Sequence, residues 1–124
     1  MQGMDKKEGS WNIEYYETSN GRVPVVGWLQ EMSKKEQALA LGYIEQLARL
    51  GTEANYPLVR HLGEKLYELR WKAGNRQHRI AFFAWTGRKF VLLHGFIKKT
   101  RTTPSKDLDL ARKRMRDYER RHKG

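Results

Sequence analysis

The sequence predicts an α+β fold: an N-terminal strand and a helical hairpin packed on a small, mainly antiparallel sheet of about four strands, followed by a C-terminal basic helix. Three observations predict it. Apolar residues recur every three to four positions between Pro24 and Gly51. Three strand-like segments then follow one another between residues 66 and 97, separated by the turn signals Ala73, Gly74, Asn75 and Thr86, Gly87. Lastly, residues 105–123 are strongly charged but keep a narrow apolar stripe. With 124 residues, one core is expected rather than two.

Residues 11–18 read WNIEYYET, aromatic and β-branched residues partly alternating with polar ones, and end at the turn cluster Ser19, Asn20, Gly21; this is the first strand. Pro24 can open a helix, and Val25, Val26, Trp28, Leu29 and Met32 follow at helical spacing until Ser33, Lys34 and Lys35 interrupt them. From Glu36, a second helix places Ala40, Leu41, Ile44, Leu47 and Ala48 on one face and Glu45 and Arg49 on the other, and it stops at Gly51. The segment from 52 to 63 reads as irregular. In LYELRWK, Tyr67, Leu69 and Trp71 alternate with Glu68, Arg70 and Lys72, separating an apolar from a charged face. RQHRIAFFAW and RKFVLLHGFI are more apolar throughout, as central strands covered by helices would be. Arg79 opposes Ile80 there and is expected on the face of Arg70. Ser105 is expected to cap the last helix, with Asp107 and Asp109 in its first turn, Arg120, Arg121 and Lys123 in its last, and Leu108, Leu110, Ala111, Met115 and Tyr118 as its stripe.

Composition narrows the function classes. Cysteine is absent, which excludes disulfides, thiolate zinc sites and a cysteine nucleophile. No apolar run approaches the roughly 18 residues of a membrane span, and no secretory leader pattern opens the chain, so a cytoplasmic location and no membrane partner are expected. Residues 1–10 read as an N-terminal extension in which Met4 offers a second start.

Charge is lopsided. Residues 1–59 hold six basic and eight acidic residues, 60–101 hold eleven against two, and 102–124 hold eight against four, within a total of +11. Such a field concentrates polyanions through counterion release and long-range steering, which makes nucleic acid the first partner to expect. Within 60–101 the acids are Glu64 and Glu68, and His61, His78, His94 and His122 lack ligand spacing, so neither a two-metal nuclease site nor a zinc site is expected, and no cofactor. RNA carries its own 2′-OH nucleophile, so a metal-free site needs chiefly cations: arginine for the developing phosphoryl charge, and a lysine whose pKa neighbouring cations depress for proton transfer. Arg70, Arg79, Lys98 and Lys99 are the catalytic candidates. Arg79 is the most telling, being a charge in an apolar strand, although pairing with Glu68 would give it a purely structural role.

The motifs LYELRW, HRIAFFAW and FVLLHGFIKKTRTTP, followed by a basic helix, closely resemble the RelE/HigB superfamily of type II toxin-antitoxin toxins, in particular its phage-related HigB-type branch. The resemblance covers residues 11–122 as one toxin domain, with LLHGFIKKTRTTP from 92 to 104 as its most specific stretch. It implies a RelE-like fold and a ribosome-dependent mRNA endonuclease that inhibits translation. It also implies a cognate helix-turn-helix antitoxin of the HigA type, with operator DNA bound only through the antitoxin complex. Within the motifs, Arg70, Arg79, Lys98 and Lys99 fall where relatives carry basic residues concerned with phosphate contact and proton transfer. Around them, Lys72, Arg76, His94, Arg101 and Tyr118 are expected to contact RNA. The alternative expectation is a non-cleaving RNA- or ribosome-binding protein, or an inactive homologue that binds an antitoxin.

Overall fold

The computed structural model describes residues 10–99 and 101–123; the rest of the expected N-terminal extension, Met4 included, lies outside the described residues. Strand β1 (Asn12–Tyr15) leads into helix α1 (Pro24–Gln30) and helix α2 (Lys34–Leu50), then β2 (Val59–Gly63), β3 (Leu66–Ala73), β4 (Arg76–Trp85) and β5 (Lys89–Lys98), and last α3 (Ser105–His122). The described strands form one sheet in the order β1-β5-β4-β3-β2. Only the β1–β5 pairing is parallel. This is the α+β architecture expected, with one strand more. β2 lies in the segment read as irregular: it is short, bulged between His61 and Gly63, and made a strand by pairing with β3 rather than by a pattern of its own.

The α1–α2 hairpin covers one face of the sheet. Val25, Leu29, Ala40, Ile44 and Leu47 pack there on Leu69, Trp71, Ile80, Phe82 and Leu92. Fully burying each of the valine, leucine, isoleucine and phenylalanine side chains among them stabilises the fold by about 1.5–3 kcal/mol. The opposite face carries α3, whose Ala111, Met115 and Tyr118 close over Ala81, Phe83, Val91 and Leu93.

The Ser33 hydroxyl accepts from the Glu36 amide, and the Glu36 carboxylate accepts from the Ser33 amide. This reciprocal cap starts α2 at Lys34, earlier than the interruption at residues 33–35 suggests. Gly51 ends the helix at φ 58°, where an added Cβ would lie 2.8 Å from the Trp11 ring. Leu41, expected on the buried face, is exposed instead, because the stripe facing the sheet narrows to Ala40, Ile44 and Leu47. Ser105 is the first residue of α3 rather than its cap; Pro104 occupies the cap position, which has no side-chain hydrogen bond. Among the described residues no helix is long and apolar enough to cross a membrane.

Gly95 lets α1 approach β5. A Cβ there would sit 2.3 Å from Cε3 of Trp28, whose indole lies against the strand. Gly95→Ala should therefore cost about 1–3 kcal/mol through overpacking. Gly42→Ala, on open α2 surface with nothing within 4 Å, should instead stabilise by about 0.5–1 kcal/mol. Urea unfolding of the two variants checks the contrast, and equal midpoints would refute it.

His78 faces the hairpin side, 2% exposed, with its ring 5.3 Å from that of Trp71. Burial holds its pKa below the ordinary histidine value; a backbone hydrogen bond involving Arg76 and the charge of Glu36 oppose this. The unfolded chain thus binds a proton near pH 6.5 that the folded protein refuses. The stability from the neutral ring is complete above that pH and is lost as pH falls through the depressed folded value. His94, also depressed by burial, acts with the same sign. The melting temperature should be lower at pH 5 than at pH 7.5, and His78→Phe should narrow that gap; an unchanged gap would remove His78 as its source.

Candidate functional site: a cationic cleft over a buried carboxylate

Strand register builds the site. Arg70 on β3 stands opposite Arg79 on β4, which stands opposite Phe96 on β5. Glu68 pairs with Ala81 on one side and with Arg60 on the other, and Gln77 pairs with Lys98. Directly paired residues, and residues two apart along a strand, share a face. Arg60, Glu68, Arg70, Arg79 and Lys98 therefore lie on one face, the one α3 covers nearer the other end of β4.

Glu68 organises them. Its side chain is wholly buried, with Oε1 3.6 Å from Nε of Arg79 and 3.9 Å from both Nε of Arg70 and Nζ of Lys98. Oε2 accepts a 3.0 Å hydrogen bond from the Thr103 hydroxyl, which ties the stretch before α3 to the sheet. Arg79 donates through Nη1 to the His78 carbonyl (2.9 Å) and through Nη2 to Oε1 of Gln77 (3.1 Å). Nε and Nη1 of Arg70 are buried and make no hydrogen bond among the described residues, so Glu68 holds this arginine by charge alone.

One carboxylate thus faces three cations, and the surplus is positive. Burial pushes the Lys98 ammonium below the ordinary lysine value; Glu68 opposes the shift, and Arg79, Arg60 and Arg70 reinforce it. Burial likewise lowers Arg79, with Arg70 adding to the effect and Glu68 opposing it.

Above this layer opens a cleft of about 750 Å³, its cationic wall made by Arg70, Arg76, Arg79, Lys98, Lys99 and Arg101. No carboxylate is among its described lining residues. The four catalytic candidates therefore share one cleft with two of the expected RNA contacts, Arg76 and Arg101. Lys72 is exposed but does not line it. His94 lies outside: its Nε2 donates to Oδ1 of Asp107 at 2.7 Å, its Nδ1 faces Nη1 of Arg114 at 3.5 Å, and it lines a separate groove beside Trp28. Tyr118 corrects the expectation of RNA contact. It is 1% exposed, packed on Phe83 and Trp85, and its hydroxyl donates to Glu14, so no RNA reaches it without opening the core.

Arg60, Gln77, Thr103 and Tyr56 belong to this neighbourhood and were not singled out by sequence. Tyr56 lays its ring over Arg70, 4.8 Å from guanidinium carbon to ring centroid. Only the Glu68–Arg79 pairing had a sequence signal, the charge in an apolar strand. Among the described residues, no group of three histidine, aspartate or glutamate side chains is placed to hold a metal.

The arrangement suits a phosphate group: permanent charges fixed by a buried carboxylate, planar donor forks, and an ammonium with a depressed pKa. Residues 27–116 match the family described as phage derived protein Gp49-like (DUF891), a stretch that includes every residue named in the cleft wall. No curated protein matches the chain.

Proposed function

Because the chain belongs to the phage-derived Gp49-like family, a toxin-like family related to the RelE/HigB-type toxins, we propose that it is the toxin of a type II toxin-antitoxin pair. In this reading it is an mRNA endoribonuclease of the HigB-type branch that acts on the ribosome without a metal. The observation that carries the reading is the cleft itself, six cations over a buried glutamate with no carboxylate among the described lining residues.

The chemistry follows from the substrate. The 2′-oxygen attacks the adjacent phosphorus and loses its proton to a base; the bond to the 5′-oxygen breaks, and that oxygen takes a proton. The products are a 2′,3′-cyclic phosphate and a 5′-hydroxyl. Arg79 faces the charge that develops on the phosphoryl oxygens, Lys98 or Lys99 moves the proton, and Arg70 serves either task. A depressed lysine pKa raises the neutral fraction available as base at a given pH. The ribosome supplies what the open cleft lacks, a scaffold that splays and aligns the message. The partners in this reading are ribosome-bound mRNA and a helix-turn-helix antitoxin, through which operator DNA is reached, in the cytoplasm.

One observation favours a second reading, an RNA- or ribosome-binding protein that does not cut, or an inactive homologue. Both terminal nitrogens of Arg79 are already engaged within the fold. Expression in bacteria followed by mapping of message ends separates the readings. The nuclease halts translation and leaves new 5′ ends within reading frames, a binder halts it without new ends, and an inactive homologue leaves growth unchanged.

A further inference from the structure

Tyr56 is the most exposed large apolar side chain described, with 69% of its surface open. Its one described ring contact is with the Arg70 guanidinium beneath it. An exposed contact of this kind contributes about 0.5–1 kcal/mol, too little to make the ring a pillar of the fold.

Its position is more informative. Arg70, Gln77 and Arg79 line the cationic cleft and also an adjoining hollow of about 470 Å³, whose remaining walls include Tyr43, Pro57, Leu58 and Trp71. A path thus runs from a mainly cationic wall to a partly aromatic one across Arg70, the arginine whose guanidinium the Tyr56 ring covers. Arg70 occupies one face of the tyrosine ring, which leaves the other to solvent. A ligand matched to this succession alternates negative charge with flat rings, which is the chemistry of single-stranded nucleic acid. A folded acidic peptide would meet the charge but has no use for the open ring.

We propose that Tyr56, held from below by Arg70, is a stacking platform for one base of a single-stranded RNA whose adjoining phosphate lies in the cationic cleft. The inference rests on the RNA reading given above and adds to it a base subsite. Stacking accepts any base, so this subsite gives affinity and alignment rather than sequence choice.

The full chain is titrated against a fluorescein-labelled hexamer of 2′-O-methyl RNA, which binds but lacks the nucleophile for cleavage, with anisotropy as the readout. Tyr56→Ala should weaken binding about tenfold, while Tyr56→Phe stays within about twofold because the ring is kept. The salt dependence should not change, since no phosphate contact is lost. On a hexamer with the bases removed, wild type and Tyr56→Ala should bind alike. Equal affinity of the two proteins for the intact hexamer overturns the platform, and so does an equal loss on the baseless one. Failure of the wild-type protein to bind RNA at all overturns the RNA reading as well, and is recognised before any variant is compared. Melting curves verify that the variants are folded.

Discussion

Replacing Glu68 with glutamine should destabilise the protein by about 3 kcal/mol or more, the usual cost of removing one partner from a buried ion pair. In a chain of this size that lowers the melting temperature by roughly 10 °C. Glutamine keeps the shape and can still accept from Thr103, so the effect isolates the charge. What remains is Arg70, Arg79 and Lys98 within 4 Å of a site that no longer compensates them, two of them almost wholly buried. Two further results should follow. Adding Lys98→Met should restore part of the loss, since one of the unbalanced cations goes. In a Glu68→Gln protein that still folds, the lysine-dependent limb of the pH–rate profile should move to lower pH, because Glu68 opposes the depression of the Lys98 pKa. A variant as stable as wild type would show that the carboxylate does not hold the cluster together.

Arg79→Ala should reduce RNA cleavage by about 100-fold or more while leaving the fold intact, in keeping with the loss of one donor aimed at a developing oxyanion. The fold survives because Arg70 and Lys98 still face Glu68, so the carboxylate keeps counter-charge. Growth after induction and counts of new 5′ ends on messages read the effect, and far-UV circular dichroism with a melting curve reads the fold. Arg79→Lys should recover little. An ammonium cannot reproduce the two divergent donations to the His78 carbonyl and Gln77 that hold the guanidinium plane in place. A folded Arg79→Ala protein that remains fully toxic would take the transition-state role away from this residue and leave it the structural one of neutralising Glu68.

How much of this was legible in the chain depends on the range of the interaction involved. The hairpin was readable because Pro24 and Gly51 punctuate a three-to-four repeat, although in sequence the Ser33–Glu36 cap that starts α2 looks like a break. The meander was readable from its turns and its alternation, and that same alternation put Arg70 and Arg79 on a common face before any register was known. β2 was not, since a five-residue bulged edge strand draws its conformation from its neighbour. Arg60 was lost with it. An aromatic on a basic helix such as Tyr118 looks the same in sequence whether its ring meets RNA or a core; the helix turns this one inward onto Phe83 and Trp85.

The sequence by itself determined the α+β class, the crowding of positive charge into residues 60–101, and the periodicities that sort apolar from charged faces, because each is a property of neighbours along the chain. Only the tertiary structure decided that Glu68 is buried beneath Arg70, Arg79 and Lys98, that Thr103 closes over it, and that Tyr56 stands on Arg70. Those outcomes rest on which strands lie side by side and which charges lose their water when they do. Desolvation and register between distant segments leave no periodic mark in a single chain.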